Sequence, residues 1–261
     1  MNGVELTHAR VVETLTKLHL GHVVERLDAY LSEAARESLT YLDFLDRVLA
    51  GEVSSKQRKR IAMGIQIAHF PAQKTLDEFD FRFQPSVDQK LVRELATGRF
   101  ISGGENVLLF GPPGVGKTHL AIALGRACVE AGNSVLFVSA TALLAALAKA
   151  ESEGQLAERL TFYAKPKLLI IDELGYLPFE RRSAHLFFQL VARRYERGSM
   201  LITTNQAVTL WGHVFGDDVL AAAILDRLLH THARDHGREL PAQAEAQGRS
   251  ARRTDHDQVN R

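Results

Sequence analysis

The stretch Gly111-Pro-Pro-Gly-Val-Gly-Lys-Thr118 fits the spacing G-x-x-x-x-G-K-[ST], a set of groups suited to gripping a polyphosphate. Gly114 and Gly116 allow backbone dihedrals and a close approach that a side chain would block, so successive N–H groups can turn toward phosphate oxygens. Gly111, Pro112, Pro113 and Val115 complete the loop, and His119 follows it directly. A helix starting near Lys117 would add the positive end of its dipole. Lys117 can reach β- and γ-phosphates, and the Thr118 hydroxyl can ligate Mg²⁺. ATP with Mg²⁺ is therefore the expected cofactor pair.

A second group of chemistry-bearing residues follows 54 positions after Thr118, where the apolar run Leu168 to Ile171 ends in Asp172-Glu173. A buried strand would hold Asp172 at its carboxyl end beside the phosphate loop, where it can orient Mg²⁺ and its waters. Glu173 would then polarise a water for attack on the γ-phosphate. Two acids after a strand can also simply cap a helix start; the phosphate loop is what turns the reading toward catalysis. A further apolar run, Met200 to Thr204, ends at Asn205. In a parallel sheet its tip lies near the same phosphates, so this amide can position the attacking water, although Asn is also a common turn former.

These groups need a scaffold, and the hydrophobic pattern supplies one. Asn106 to Phe110, Ser134 to Val138, Lys167 to Ile171 and Met200 to Thr204 are short apolar runs separated by helical stretches. Strands alternating with helices predict an α/β fold, a three-layer P-loop NTPase domain with a parallel sheet. Upstream, residues 1–68 read as a small helical domain. Leu6, Val11, Leu15 and Leu18 form one stripe, and Val23, Leu27, Tyr30 and Leu31 a second. Thr40-Tyr-Leu-Asp43 fits a capping box opening a third helix that ends at Gly51, and Ser54 to Arg60 opens a fourth. Between the two domains, Pro71, Pro85 and the alternating Phe79, Phe81 and Phe83 predict an extended linker packing aromatic rings onto the core.

Composition narrows the class further. Over 261 residues, 46% are hydrophobic and 24% charged, as in ordinary globular chains. Thirty-two Lys and Arg against 31 Asp and Glu leave a formal net charge of +1, so any nucleic-acid surface must be local. The single cysteine, Cys128, excludes an internal disulfide framework and reads as a small buried hydrophobe. The first residues lack a signal peptide's apolar core and no long apolar run follows, so a cytoplasmic protein with no membrane partner is expected.

The segments GPPGVGKTHLA, LLIIDELGY and LITTN, with the block Trp211-Gly-His-Val-Phe-Gly-Asp-Asp-Val-Leu-Ala-Ala-Ala-Ile-Leu-Asp-Arg-Leu228, resemble the AAA+ ATPases of the IstB/DnaC type. The likeness is greatest to IstB-like helper ATPases of insertion sequences and runs to about Thr231. Phe70-Pro71 with Lys74 to Phe81, and the Trp211 to Leu228 block, carry more of it than the widely shared phosphate loop. The resemblance implies a Mg²⁺-dependent ATPase core over residues 69–232 that assembles on double-stranded DNA and recruits or stimulates a transposase. It also implies that Arg227 is an arginine finger reaching a neighbouring subunit's nucleotide, hence a homo-oligomer; a helix-surface ion pair with Asp226 or Glu239 is the plainer role. Two alternatives share the core: a DnaC-like helicase loader, and a nucleotide-gated DNA scaffold with negligible turnover.

After Thr231 the family pattern is lost, and residues 233–261 read as a divergent or frameshifted tail with no strand. One back-translation of Ala233 to Gly248, read one nucleotide later, yields His-Val-Ile-Thr-Ala-Gly-Ser-Tyr-Arg-Leu followed by basic residues, which resembles the family's usual ending. A shifted tail would cost the sheet its fifth strand. Two basic sets are possible DNA contacts or solvated faces: Lys56, Arg58, Lys59 and Arg60, and a helical face with Gln189, Arg193 and Arg197. His230, His232 and His236 lack a frame that would make them a metal site.

Overall fold

A computed structural model describes residues 3–176, 179–229 and 239–241. They fall into two compact units that divide between His69 and Phe70.

The first unit contains three helices among the described residues: α1 (Gly3–Lys17), α2 (Gly21–Glu37) and α3 (Tyr41–Ile67). Thr40 caps α3 as the capping box predicts, accepting from the Asp43 amide at 3.2 Å. The expected stop at Gly51 is corrected: α3 runs straight through it, so the third and fourth expected helices are one. Gly51 is a packing residue here, because a Cβ there would collide with the Tyr30 hydroxyl. The small core joins Val23, Tyr30 and Val48, with Leu15, Leu20 and Phe44 packed against it. Leu20 offers α2 no side-chain cap. Glu52, only 4% exposed, supplies one from α3 by accepting the Val23 amide at 3.0 Å.

The second unit opens with a strap, Phe70 to Phe83, which corrects the expected alternation: Phe81–Phe83 is a 3-10 turn and Phe83 is 81% exposed, so only the earlier rings pack inward. Phe70 meets Phe137 edge-on at 6.2 Å, and Phe79 meets Phe81 at 4.8 Å. Two short helices follow, α4 (Gln89–Ala96) and α5 (Arg99–Ser102). The sheet then builds from β1 (Val107–Phe110), β2 (Val135–Ser139), β3 (Leu168–Leu174) and β4 (Ser199–Thr204). Between the strands lie α6 (Lys117–Glu130), α7 (Ala140–Ser152), α8 (Leu156–Ala164) and α9 (Arg181–Arg194). After β4 come α10 (Trp211–Phe215) and α11 (Asp218–Leu229).

The strand order is β2-β3-β4-β1-β5, all parallel, with β5 the three residues Glu239–Pro241. This corrects the expectation of a strandless tail: Leu108, Leu109 and Phe110 pair with Glu239, Leu240 and Pro241. An edge strand needs only backbone groups facing β1, and proline is tolerated at an edge. Burial explains why the other strands were legible as apolar runs. Leu168, Leu169, Ile170 and Ile171 are all 0% exposed, covered by helices on both faces. Among the described residues, no helix is long and apolar enough to cross a membrane.

One buried cation holds the amino-terminal edge of this sheet together. Arg194, at the end of α9 and 1% exposed, donates to the carbonyls of Tyr163, Pro166, Lys167 and Ser199 at 2.9, 3.0, 3.2 and 2.6 Å. Burial lowers its pKa to about 10, still protonated at neutral pH. The α9 helix therefore ends earlier than the basic face proposed for it, leaving Arg197 beyond its last turn.

Candidate functional site

The phosphate loop leaves β1 and enters α6 with Gly114 at φ 83° and Gly116 at φ 86°, both in the left-handed region that only glycine adopts freely. Gly116 is doubly constrained, since a Cβ there would lie 2.7 Å from Phe79 Cε2. Phe79 also packs edge-on against the His119 ring at 5.4 Å, and the His119 Nε2 lies 2.8 Å from the Thr75 carbonyl oxygen. The strap is thus fastened to the first turn of α6, on the flank of the loop. His119 serves this junction rather than the phosphate-facing wall.

Lys117 curls back over the loop, its Nζ donating to the carbonyls of Gly111 and Pro112, each at 2.8 Å. Partial burial pulls its pKa below the usual lysine value, while Asp172 and Glu173 oppose the shift. The Thr118 hydroxyl donates to Asp172 at 3.0 Å to Oδ1 and 3.1 Å to Oδ2. Asp172 stands at the end of β3, 6% exposed, and its Oδ1 also accepts from the Thr203 hydroxyl at 2.6 Å. Glu173 is exposed, lines the space beside the loop and has a left-handed backbone at φ 62°.

These residues converge on a cavity of about 320 Å³ lined by Pro113, Gly114, Gly116, Lys117, Thr118, Glu173, Tyr176, Thr203, Thr204 and Asn205. That volume lies at the lower end of the range for small-molecule sites. The Asn205 side-chain oxygen is buried with no hydrogen-bond partner among the described residues. A buried unmet acceptor at a cavity wall fits a site that receives a donor. Thr118 and Asp172 form a hydroxyl–carboxylate pair of hard oxygen donors beside the loop, a set suited to Mg²⁺.

The chain matches the family model described as IstB-like ATP binding protein over residues 13–239. It belongs to that family. Its IstB-like sequence is 47% identical over 216 residues to an ATP-binding protein of insertion sequence IS21 from Pseudomonas aeruginosa, spanning 83% of this chain and 82% of the relative. It is 44% identical over 221 residues to an ATP-binding protein of insertion sequence IS5376 from Geobacillus stearothermophilus, spanning 85% and 88%. Among solved structures, AMPPCP-bound DnaA from Aquifex aeolicus matches at a TM-score of 0.52 and 22% identity, over 60% of this chain and 48% of that one. That likeness establishes the AAA+ P-loop fold.

Within this IstB-like core, Arg227 is set apart from the phosphate loop. It lies on α11, donating to the Ala223 carbonyl at 3.0 Å, with its guanidinium 4.7 Å from the Phe188 ring centre. The neighbouring Leu228 carbonyl accepts from Asn106, whose oxygen in turn accepts from the Met200 amide at 2.7 Å. Asn106 and Met200 mark the amino ends of β1 and β4, whereas the loop leaves the carboxyl end of β1. Arg227 therefore faces away from the cavity of its own chain.

Sequence reasoning passed over Thr203, Thr204 and Tyr176. The signal for Thr203 was available, because strand alternation sends residues two apart to one side and Asn205 was already assigned. The basic sets are partly occupied within the chain. Lys56 approaches the Glu52 carboxylate at 3.7 Å, and Arg193 donates to the Ala157 carbonyl at 2.9 Å. His230, His232 and His236 lie outside the described residues.

Proposed function

We propose that the chain is a Mg²⁺-dependent ATPase that assembles on double-stranded DNA and recruits or stimulates a transposase. The Thr118–Asp172 pair beside the phosphate loop, with the unmet Asn205 acceptor across the cavity, is the observation that carries this reading. Lys117 would exchange its two loop carbonyls for phosphate oxygens, and the loop amides would hold the same phosphates. Thr118 and Asp172 would hold Mg²⁺, which when bound neutralises charge on the β- and γ-phosphates. Glu173 accepts a proton from the attacking water while Asn205 orients that water by accepting its other hydrogen. Hydrolysis here is positioning plus electrostatics, which suits a site built from side chains on rigid strand ends.

Arg227 completes the reading from a neighbouring copy. Its placement at the far end of β1 suits a cation offered to the next subunit's nucleotide, where it offsets charge building on the γ-phosphoryl group. The relatives' context in insertion sequences supports a transposase as partner. Gel shift and sedimentation on long double-stranded DNA test the reading, with wild type, Lys117→Ala and Glu173→Gln in parallel. Large complexes needing ATP and double strands support it, and a preference for single strands or for a replicative helicase overturns the transposition role. A Glu173→Gln chain as active as wild type in every assay would mean a scaffold without turnover. The tail from about Ala233 is read as divergent or frameshifted, and its pairing as β5 favours neither; codons incompatible with the second reading exclude the shift.

A further inference from the structure

The register between β3 and β4 slips beside the cavity. Ile171 pairs with Ile202 and the ladder resumes at Leu174 with Thr204, so Thr203 alone faces both Asp172 and Glu173. This two-against-one arrangement is a bulge, a device that re-aims side chains and leaves an amide without its ladder partner. The Thr203 hydroxyl takes up that amide, accepting from the Glu173 N–H at 2.8 Å. Its own proton goes to Asp172 Oδ1 at 2.6 Å. The side chain is 1% exposed, so water does not substitute for either bond. Glu173 meanwhile sits at φ 62°, a conformation a non-glycine residue keeps only when its surroundings impose it.

We infer that Thr203 is a positioning residue that sets Asp172 and Glu173 relative to one another through a single hydroxyl. The inference rests on the hydrolysis reading above and deepens it. The Thr203 bond to Asp172 Oδ1, at 2.6 Å, is shorter than either bond from Thr118, so Thr203 is the donor that holds this carboxylate most closely. The same oxygen holds the Glu173 backbone in its left-handed turn, which aims the glutamate side chain into the cavity. Among the described residues, Thr203, opposite the β3 bulge, is the side chain that hydrogen-bonds to both acids.

Two substitutions separate the hydroxyl from the rest of the side chain. Thr203→Val keeps the shape and removes the hydroxyl, while Thr203→Ser keeps the hydroxyl and removes the methyl. ATP turnover with Mg²⁺ is measured for both, with ATP binding in excess chelator and circular dichroism as companions. Val should lose about 10- to 100-fold in kcat, with chelator-condition ATP binding and KM within about threefold of wild type. Ser should stay within about threefold of wild type in all three. If Val does not fold, Thr203→Ala removes the same hydroxyl without added bulk and should show the same loss. Equal kcat for the Ser variant and the hydroxyl-less variant overturns the inference while wild-type turnover stands. Wild-type turnover no greater than that of Glu173→Gln overturns the hydrolysis reading and this inference with it.

Discussion

The Thr118 hydroxyl and the Asp172 carboxylate, 54 positions apart, meet at 3.0 Å because β1 and β3 deliver both to the same end of the sheet. Their pairing makes the difference between binding nucleotide and turning it over testable.

Asp172→Asn should leave ATP binding in chelator nearly unchanged, since in the proposed reading the loop amides and Lys117 hold the phosphates without it. Turnover with Mg²⁺ should fall by roughly 100-fold or more, as the carboxylate charge at the metal is lost. Calorimetry in chelator against phosphate release in Mg²⁺ makes the comparison. A parallel loss of both would show that Asp172 supports the loop rather than the metal.

Arg227→Ala and Lys117→Ala should each be inactive alone but recover turnover when mixed. In mixed assemblies an intact pocket from the first meets an intact arginine from the second. Loss in the single variant should be on the order of 10³-fold. Mixtures that stay as inactive as their parts would mean that Arg227 serves only its contact with Phe188.

Glu52→Ala should destabilise the first unit by about 1–3 kcal/mol, because the buried Val23 amide loses its acceptor. Denaturant unfolding followed on the isolated helical signal at 222 nm, compared with Lys56→Ala, measures this. The lysine variant should cost well under about 1 kcal/mol, as expected for an exposed partner at 3.7 Å.

Cys128 supplies a pH test. Burial pushes its thiol from 9.0 up to about 12, so the folded chain keeps a proton that the unfolded chain releases. The unfolded state then binds fewer protons across that window, and its contribution to stability is present below pH 9 and lost as pH rises toward 12. Cys128→Ala should flatten the decline in chemical stability between pH 8.5 and 10 relative to wild type. Thiol alkylation of the native chain should likewise follow unfolding, and rapid labelling at pH 8 would contradict this burial.

Local chemistry was readable from residue order alone. The glycine-rich loop is built from backbone amides, two left-handed glycines and the adjacent Lys117 and Thr118 side chains, so its pattern is written in contiguous residues. The four apolar runs announced a parallel sheet because strands buried on both faces have no polar positions to interrupt them. Parallel connection then implied that Asp172, Glu173 and Asn205 gather at the strand ends near Lys117. Gly51 shows where this logic fails: a glycine that looks like a helix stop is instead the spot where Tyr30 approaches α3. The tail strand at Glu239–Pro241 fails for a related reason, since pairing at an open edge requires a neighbour and not an apolar run.

Sequence by itself therefore determined the fold class, the glycine-rich loop after β1 and the acids that face it, because each depends on short-range pattern and one topological rule. Tertiary structure alone decided that Thr203 faces two acids across a bulge, that Glu52 caps a helix other than its own, and that Arg194 gathers four carbonyls. It also decided that Arg227 looks away from its own cavity. Each of these relationships joins residues from separate elements, and hydrogen bonds of that kind are set by strand register and helix packing, which no local propensity encodes.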